Sequence, residues 1–140
     1  MLQRIQTIWL LLASLCAFLT LKLSFFSGNT VVNNQKQFQS LTATSPGNLI
    51  LLILSVAVGI AALVVIFLYK DRKMQIKVAL AVFGVSLINI FLFFSATKSF
   101  VEGTYDLTAP IVFLIPVFIL LAVRGIYKDE RLVRSVDRLR

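Results

Sequence analysis

The stretch LILLILSVAVGIAALVVIFLY, residues 49–69, contains no charged residue, and Ser55 is its only polar side chain before the final tyrosine. A helix needs about 20 consecutive, largely apolar residues to cross a hydrocarbon core of about 30 Å. The stretch therefore predicts a transmembrane helix, and it predicts that lipid rather than water surrounds this part of the chain.

Three further segments are apolar enough to be considered as spans. The four segments are Ile5–Phe26, Leu49–Tyr69, Ile76–Ala96 and Tyr105–Tyr127. The first follows Arg4, as the apolar region of a signal peptide would, but it exceeds the usual length of about 7–15 residues and no small-x-small cleavage site follows. We therefore expect a retained span. In the fourth, Pro116 predicts a kink in the middle of a helix.

The composition of the whole chain agrees with a membrane protein. Its 140 residues are 59% hydrophobic and 14% charged, with a mean hydropathy of +0.92. Soluble domains are typically about 45–50% apolar and about 25% charged. The predicted fold class is an all-α membrane protein, a four-transmembrane-helix bundle that forms a single integral membrane domain, residues 1–140.

Lys and Arg are distributed unevenly between the two sides of such a bundle. With both termini on one side, that side carries eleven of the fourteen basic residues, and the other side carries Lys22, Lys36 and Lys98. Basic loops remain in the cytoplasm. Both termini and the loop at 70–73 are therefore predicted to be cytoplasmic. The outer loop at 27–48 is expected to be either a hairpin around VVNNQKQF (31–38) or a flexible connector.

The C-terminal stretch KDERLVRSVDRLR, residues 128–140, predicts a basic amphipathic helix on the cytoplasmic side. Its apolar stripe comprises Leu132, Val136 and Leu139, with Val133 at the edge, and its basic stripe comprises Arg131, Arg134 and Arg138. Glu130 precedes Arg134 by four residues, the favourable order for an ion pair on a helix. The basic stripe would be balanced by the anionic cytoplasmic leaflet, by an acidic protein partner or by a second copy of the chain. Alternatively, these charges serve only to fix the topology.

The candidate interaction residues are basic, with one exception inside a span. The predicted contacts with a partner or with lipid headgroups are Arg4, Arg124, Lys128, Arg131, Arg134, Arg138 and Arg140. Asn89 is predicted to make an interhelical polar contact, with a ligand contact as the alternative. Small residues are predicted to mark the helix seams: Ala13, Cys16, Ala17, Thr20 and Ser24, then Ser55, Gly59 and Ala62, then Ala81 and Gly84.

The residues needed for the common catalytic and metal sites are missing from the sequence. The chain has no histidine and one cysteine, Cys16, so neither a Ser-His-Asp site nor a zinc-ligand cluster is predicted. The usual phosphate-binding glycine loops are also absent. Glu102 and Asp106 lie four residues apart in an outer loop and are taken as solvated acids rather than an acid–base pair. No catalytic residue, cofactor, metal or nucleic-acid partner is predicted.

The two ends of the chain carry a family resemblance. MLQRIQTIWLLLA (1–13) and LAVRGIYKDERLVRSVDRLR (121–140) resemble the hallmark ends of the family called domain of unknown function forty-two ninety-three, common in the phylum Bacteroidota. The resemblance implies a bacterial inner-membrane protein with four helices, and no activity. The family ending reads Leu-Ala-Asn-Arg, whereas this chain has Val123 before Arg124, so any polar role of that asparagine is lost here. Because both ends would lie at the cytoplasmic face, we expect Arg4 to pair with Asp129 or Glu130.

Two functions from different classes remain open on the sequence. The first is a non-enzymatic scaffold or accessory subunit that docks onto a larger inner-membrane assembly by its cytoplasmic face. The alternative is a small transporter or permease subunit acting as an oligomer, for which Asn89 and the kinked fourth helix are the supporting features. An intramembrane enzyme is disfavoured because the chain has no histidine and the only acidic residue within the predicted spans, Asp106, lies at the outer edge of the fourth.

Overall fold

The computed structural model describes residues 2–137 of the chain, with side chains described from Ile5 to Ser135. Within this range four α-helices dominate, and a small sheet is formed by three strands. The helices are α1 (Leu2–Leu19), α2 (Leu49–Phe67), α3 (Arg72–Thr97) and α4 (Pro110–Asp137), with a short 3₁₀ helix at Leu68–Lys70. The strands are β1 (Phe26–Val32), β2 (Gln35–Leu41) and β3 (Glu102–Tyr105).

The four helices pack in a closed order in which each contacts its neighbours in the chain, and α4 also contacts α1. Their central core is apolar and includes Leu10, Val65 and Ile119, each at most 1% exposed. We call the end that holds the start of α1 and the end of α4 the charged end, and the opposite end, which carries the strands, the sheet end. Side-chain hydrogen bonds that join all four helices at the charged end show that neighbouring helices run antiparallel.

Three helices are long and apolar enough to cross a membrane. They are Leu49–Lys70, including the short 3₁₀ turn, Arg72–Thr97 and Pro110–Ser135. The first helix is shorter, with its apolar part at Ile5–Leu19. It ends at Leu19 rather than at Phe26, although backbone hydrogen bonds from Thr20 to Cys16 and from Leu23 to Leu19 continue its winding for one more turn. By length and composition, these helices are compatible with a membrane protein.

The structure is mostly helical and has the four expected helices, but the fold is not all-α, because residues of the two outer loops form a sheet. The strand order is β2-β1-β3, and both pairs are antiparallel. Of the two alternatives for residues 27–48, the structure has the hairpin. Its two-residue turn is Asn33–Asn34, with φ of 52° and 60°. Asparagine tolerates this left-handed conformation better than other non-glycine residues, and a turn of this hand matches the twist of the two strands.

The third strand lies where the sequence predicted a loop and the start of the fourth span. Glu102–Tyr105 pairs with the first four residues of β1, so α4 begins at Pro110 rather than at Tyr105. Gly28 and Gly103 are cross-strand partners, and a Cβ atom at either position would collide with the backbone of the other strand. A side chain is therefore excluded at both positions.

Aromatic side chains join the sheet to the helices. Phe25 is 1% exposed and contacts the ring of Phe93 on α3, with centroids 5.0 Å apart, and the ring of Tyr105 at 5.7 Å. Phe26 packs edge-on against Tyr105 at 5.1 Å. Since Phe25 and Phe26 fill this core, the chain leaves the helical path before them, which explains why the predicted first span is too long.

The small-residue seams are correct for two helices and wrong for the third. Ala13, Cys16 and Ala17 are buried on α1, and Thr20 is buried directly after its last residue. Ser55, Gly59 and Ala62 are buried on α2, whereas Ser24 is half-buried beyond the end of α1. On α3, Ala81 is exposed and a Cβ at Gly84 would meet open space. The buried face of α3 instead comprises Gln75, Ala79, Val82, Ser86, Asn89 and Phe93. The polar residues Gln75, Ser86 and Asn89 are tolerated on this face because each donates a hydrogen bond to a group inside the protein.

Candidate functional site at the charged end of the helices

A buried carboxylate is the most unusual group at the charged end. Asp129 on α4 is 7% exposed, and one of its carboxylate oxygens accepts a hydrogen bond of 2.6 Å from the side-chain amide of Gln6 on α1. Gln6 is itself 6% exposed. A buried charge is costly unless hydrogen bonds satisfy it, so this pair ties the start of α1 to the end of α4. Gly125 leaves room for it, because a Cβ there would lie 2.8 Å from Cγ of Gln6.

The start of α3 is attached to the same residue of α4. The guanidinium of Arg72 donates a hydrogen bond of 3.1 Å to the backbone carbonyl of Asp129. The preceding residue, Asp71, begins α3 by accepting a hydrogen bond from the backbone N–H of Met74 at 3.3 Å. This cap explains why α3 starts before the predicted span at Ile76. The contact brings the basic loop at 70–73 beside the C-terminal part of α4.

A second buried amide fixes α3 against the end of α2. The side-chain amide of Gln75, 6% exposed, donates a hydrogen bond of 3.0 Å to the backbone carbonyl of Val65. The same carbonyl, in the last turn of α2, also accepts a hydrogen bond from the backbone N–H of Leu68. Gln75 is therefore a second donor to this carbonyl, and its hydrogen bond holds α2 and α3 together.

These groups surround a cavity of about 230 Å³ to which all four helices contribute. Its lining residues are Gln6, Thr7, Ile66, Tyr69, Arg72, Gln75, Ile126 and Asp129. Towards the sheet end it is closed by the packed apolar core around Leu10 and Val65. The cavity is thus a shallow pocket that combines a buried carboxylate, a guanidinium, two amides and two hydroxyls.

The predicted basic contacts lie on the outside of this end. Arg124, Lys128, Arg131 and Arg134 are all exposed. Arg134 forms the expected ion pair with Glu130 one turn earlier, with an N–O distance of 2.9 Å. Arg138, Arg140 and the side chain of Arg4 lie outside the described residues. The expected pairing of Arg4 with Asp129 or Glu130 therefore stays a prediction, although both acids have partners in Gln6 and Arg134.

Asn89 lies away from the pocket, in the interior between α2 and α3. Its amide donates a hydrogen bond of 3.0 Å to the hydroxyl of Ser55, and both side chains are at most 2% exposed. Nearby, the hydroxyl of Ser14 donates to the carbonyl of Gly59 at 3.0 Å, which joins α1 to α2. These contacts connect helices through polar groups in the apolar interior.

The two outer acids do not come together. Asp106 accepts a hydrogen bond of 2.6 Å from the hydroxyl of Ser27, and Glu102 lies 3.8 Å from the ammonium of Lys36 in an exposed pair. Across the part of the chain that the structure describes, no group of three or more His, Cys, Asp or Glu side chains is placed to hold a metal ion. Instead, Asp106 contacts Ser27 of β1, and Glu102 pairs with Lys36 of β2, both at the sheet end.

Sequence reasoning missed the convergence of Gln6, Arg72, Gln75 and Asp129. One signal was present, since Asp129 continues the spacing of buried residues along α4 that runs through Ile119, Ala122 and Ile126. A carboxylate at a core-facing position of a helix indicates a partner elsewhere in the fold. The identity of that partner does not follow from the spacing.

The fold and the charged end define a class, a mostly helical protein with three helices able to cross a membrane and a polar pocket at one end. The family follows from the sequence match. Residues 2–139 match the model of the family described as Domain of unknown function (DUF4293), so the chain belongs to that family. Neither curated proteins nor solved structures gave a match.

Proposed function

We propose that this protein is a non-enzymatic scaffold or accessory subunit of a bacterial inner-membrane assembly. Its four helices form a transmembrane bundle with both termini in the cytoplasm, and its charged end presents a basic docking surface. We define the basic surface as Lys70, Lys73, Lys128, Arg131 and Arg134. The observation that carries the proposal is the hydrogen bond from Arg72 to Asp129, because it gathers basic residues from two separate segments at one end.

The distribution of charge supports the proposed orientation. The sheet end holds Lys22, Lys36 and Lys98, while the other nine basic residues in the described part of the chain belong to the charged end. Lys and Arg near the ends of spans remain on the cytoplasmic side during insertion. The charged end is therefore the cytoplasmic end in this proposal, and the sheet faces the opposite compartment.

The length of α4 supports a docking role for the C-terminal segment. The helix has 28 residues, which corresponds to about 42 Å at 1.5 Å per residue. A hydrocarbon core is about 30 Å thick, so the last two turns extend beyond it. Because the helix is continuous through Tyr127, these turns project from the bilayer instead of lying flat on it.

The projecting turns at the end of α4 expose both apolar and basic side chains. Leu132 and Val133 are 49% and 45% exposed. Val133 follows Asp129 by four residues and so continues the face of α4 that packs inside the protein. Arg131 and Arg134 are exposed beside them. An acidic, partly apolar segment of a membrane-protein partner complements this surface, and anionic lipid headgroups complement the lysines of the 70–73 loop.

The test is affinity purification from native membranes in a mild detergent, followed by mass spectrometry. The tested variant replaces Lys128, Arg131 and Arg134 of the basic surface with Gln, and the matched control replaces Lys22, Lys36 and Lys98 with Gln. Both lose three positive charges, but at opposite ends. Partners that are retained by the control and lost from the tested variant support the proposal. The same set of partners in both variants, or none with the wild type, refutes it.

The transporter alternative draws less support from the structure. It relied on Asn89 as a ligand contact inside the spans, and the amide of Asn89 is bonded to Ser55. Its remaining polar opening is the pocket around Asp129, which the apolar core closes on the side of the sheet end.

A further inference from the structure

Three of the residues that line the pocket at the charged end carry side-chain oxygens that accept hydrogen bonds. The amide nitrogens of Gln6 and Gln75 each donate one hydrogen bond, one to a carboxylate and the other to a backbone carbonyl. Since these partners only accept hydrogen bonds, they fix the orientation of both amides. The carbonyl oxygens of the two amides and the carboxylate of Asp129 then belong to residues that line the cavity and can accept hydrogen bonds from a ligand. Such a lining suits a group with several N–H donors and a positive charge.

The same cavity is also lined by a cationic hydrogen-bond donor. Arg72 contributes a guanidinium whose fixed geometry suits phosphate or carboxylate oxygens. Its hydrogen bond to the backbone carbonyl of Asp129 ties it to the residue that carries the buried carboxylate. The lining of the pocket thus contains one negative group, the Asp129 carboxylate, and one positive group, the Arg72 guanidinium. A small zwitterion carries the complementary pair of charges.

We propose that this pocket binds a zwitterion of the phosphoethanolamine type, with its primary ammonium on Asp129, Gln6 and Gln75 and its phosphate on Arg72. The volume of about 230 Å³ is below the range of about 300–1,000 Å³ for drug-sized ligands, and so it fits a headgroup or a free ligand of that size. This inference uses residues that are not part of the basic surface. Its failure would leave the proposed docking function untouched.

The pocket discriminates against quaternary ammonium. A choline group carries the same charge as an ethanolamine group but has no N–H to donate, so the amide and carboxylate oxygens would lose their water without gaining a hydrogen bond. Selectivity for ethanolamine over choline is therefore the signature of the proposed site. Phosphatidylethanolamine and soluble O-phosphoethanolamine carry the same recognised chemistry, and the experiment must separate them.

Binding is measured with the full-length chain in a non-ionic detergent, in a buffer free of amines and phosphate. The probes for isothermal titration are O-phosphoethanolamine and phosphocholine. The lipid source is tested by thermal unfolding in nanodiscs of phosphatidylethanolamine or of phosphatidylcholine with the same acyl chains. The tested variants are Asp129→Asn and Arg72→Gln. The matched control is Glu130→Gln, which loses the same charge as Asp129→Asn from the neighbouring residue.

For the wild type we expect the affinity for O-phosphoethanolamine to be at least about ten times that for phosphocholine. The free energy of one hydrogen bond to a charged group corresponds to a ratio of dissociation constants of that size. Asp129→Asn should abolish this preference, Arg72→Gln should weaken binding of both probes, and Glu130→Gln should change neither affinity by more than about two-fold. If Asp129→Asn does not fold, the preference of the wild type alone decides the matter.

The two sources give different results. A higher unfolding temperature in phosphatidylethanolamine than in phosphatidylcholine, lost in Asp129→Asn, supports a lipid headgroup. Binding of O-phosphoethanolamine without such a difference supports a soluble zwitterion. Equal affinity for the two probes, or no binding of O-phosphoethanolamine together with no difference between the two bilayers, overturns the proposal.

Discussion

Replacing Gln6 with Leu should destabilise the protein by leaving a buried carboxylate without its amide partner. The hydrogen bond to Asp129 is 2.6 Å long, and both residues are less than one-tenth exposed. Hydrogen bonds to charged groups contribute about 1.5–3 kcal/mol, and an abandoned buried group adds its desolvation penalty. The adjacent cavity of about 230 Å³ admits water to the carboxylate and limits that penalty. We therefore expect a loss of about 2–3 kcal/mol.

The double variant distinguishes a specific pair from two independent packing contacts. Asp129→Leu alone should cost about 1–3 kcal/mol because it leaves the Gln6 amide without an acceptor, whereas replacing both residues with Leu should cost less than either change. The matched control is Glu130→Gln, which breaks the ion pair with the exposed Arg134. For such a pair we expect a loss of about 0.3–0.5 kcal/mol.

The assay is reversible unfolding in mixed micelles, titrated with a denaturing detergent and followed by the fluorescence of Trp9. This residue is the only tryptophan, lies on α1 about one turn from Gln6, and stacks on Phe118 of α4 with ring centroids 5.7 Å apart. Its signal therefore reports directly on the α1–α4 contact. A cost below about 0.5 kcal/mol for Gln6→Leu, or a double variant equal to the sum of the two single changes, would refute the reasoning.

Three further predictions concern helix contacts and the hairpin. Gly125→Ala should destabilise the protein by about 1 kcal/mol, because the new Cβ presses on Gln6. Its control in the same unfolding assay is Gly84→Ala. This change should be neutral or stabilising by up to about 1 kcal/mol, since that position faces open space. Asn89→Leu should cost about 0.6–2 kcal/mol by removing the hydrogen bond between α2 and α3, and a value near zero would contradict an interhelical role. Asn34→Val should destabilise the hairpin by about 1–2 kcal/mol because its φ is 60°. Hydrogen exchange of the strand amides measures that change, with Asn34→Gly as the matched variant that should not increase exchange.

The apolar helices could be predicted from the sequence because their signal is local. The second span, Leu49–Tyr69, agrees closely with the helix and the 3₁₀ turn at Leu49–Lys70, since an uncharged run of this length has few alternatives. The ion pair between Glu130 and Arg134 is local in the same sense, because residues four apart on a helix are neighbours whatever the rest of the fold does.

The sheet was only partly predictable. The turn at Asn33–Asn34 is a local hairpin signal, and the hairpin was one of two alternatives for its loop. The third strand was missed, because Glu102–Tyr105 is short, consists of residues in the exposed class and lacks alternating apolar residues. Its strand conformation comes from pairing with β1, which lies far away in the sequence and next to it in space.

By itself the sequence determined where apolar helices form and how the basic residues are divided between the two ends, because hydrophobic length and charge need no knowledge of the fold. The tertiary structure alone decided which polar groups meet. Gln6, Arg72, Gln75 and Asp129 belong to three different helices and acquire their partners only when those helices pack. The pocket arises from that packing, since an isolated helix has no means of burying a carboxylate beside an amide from the opposite end of the chain.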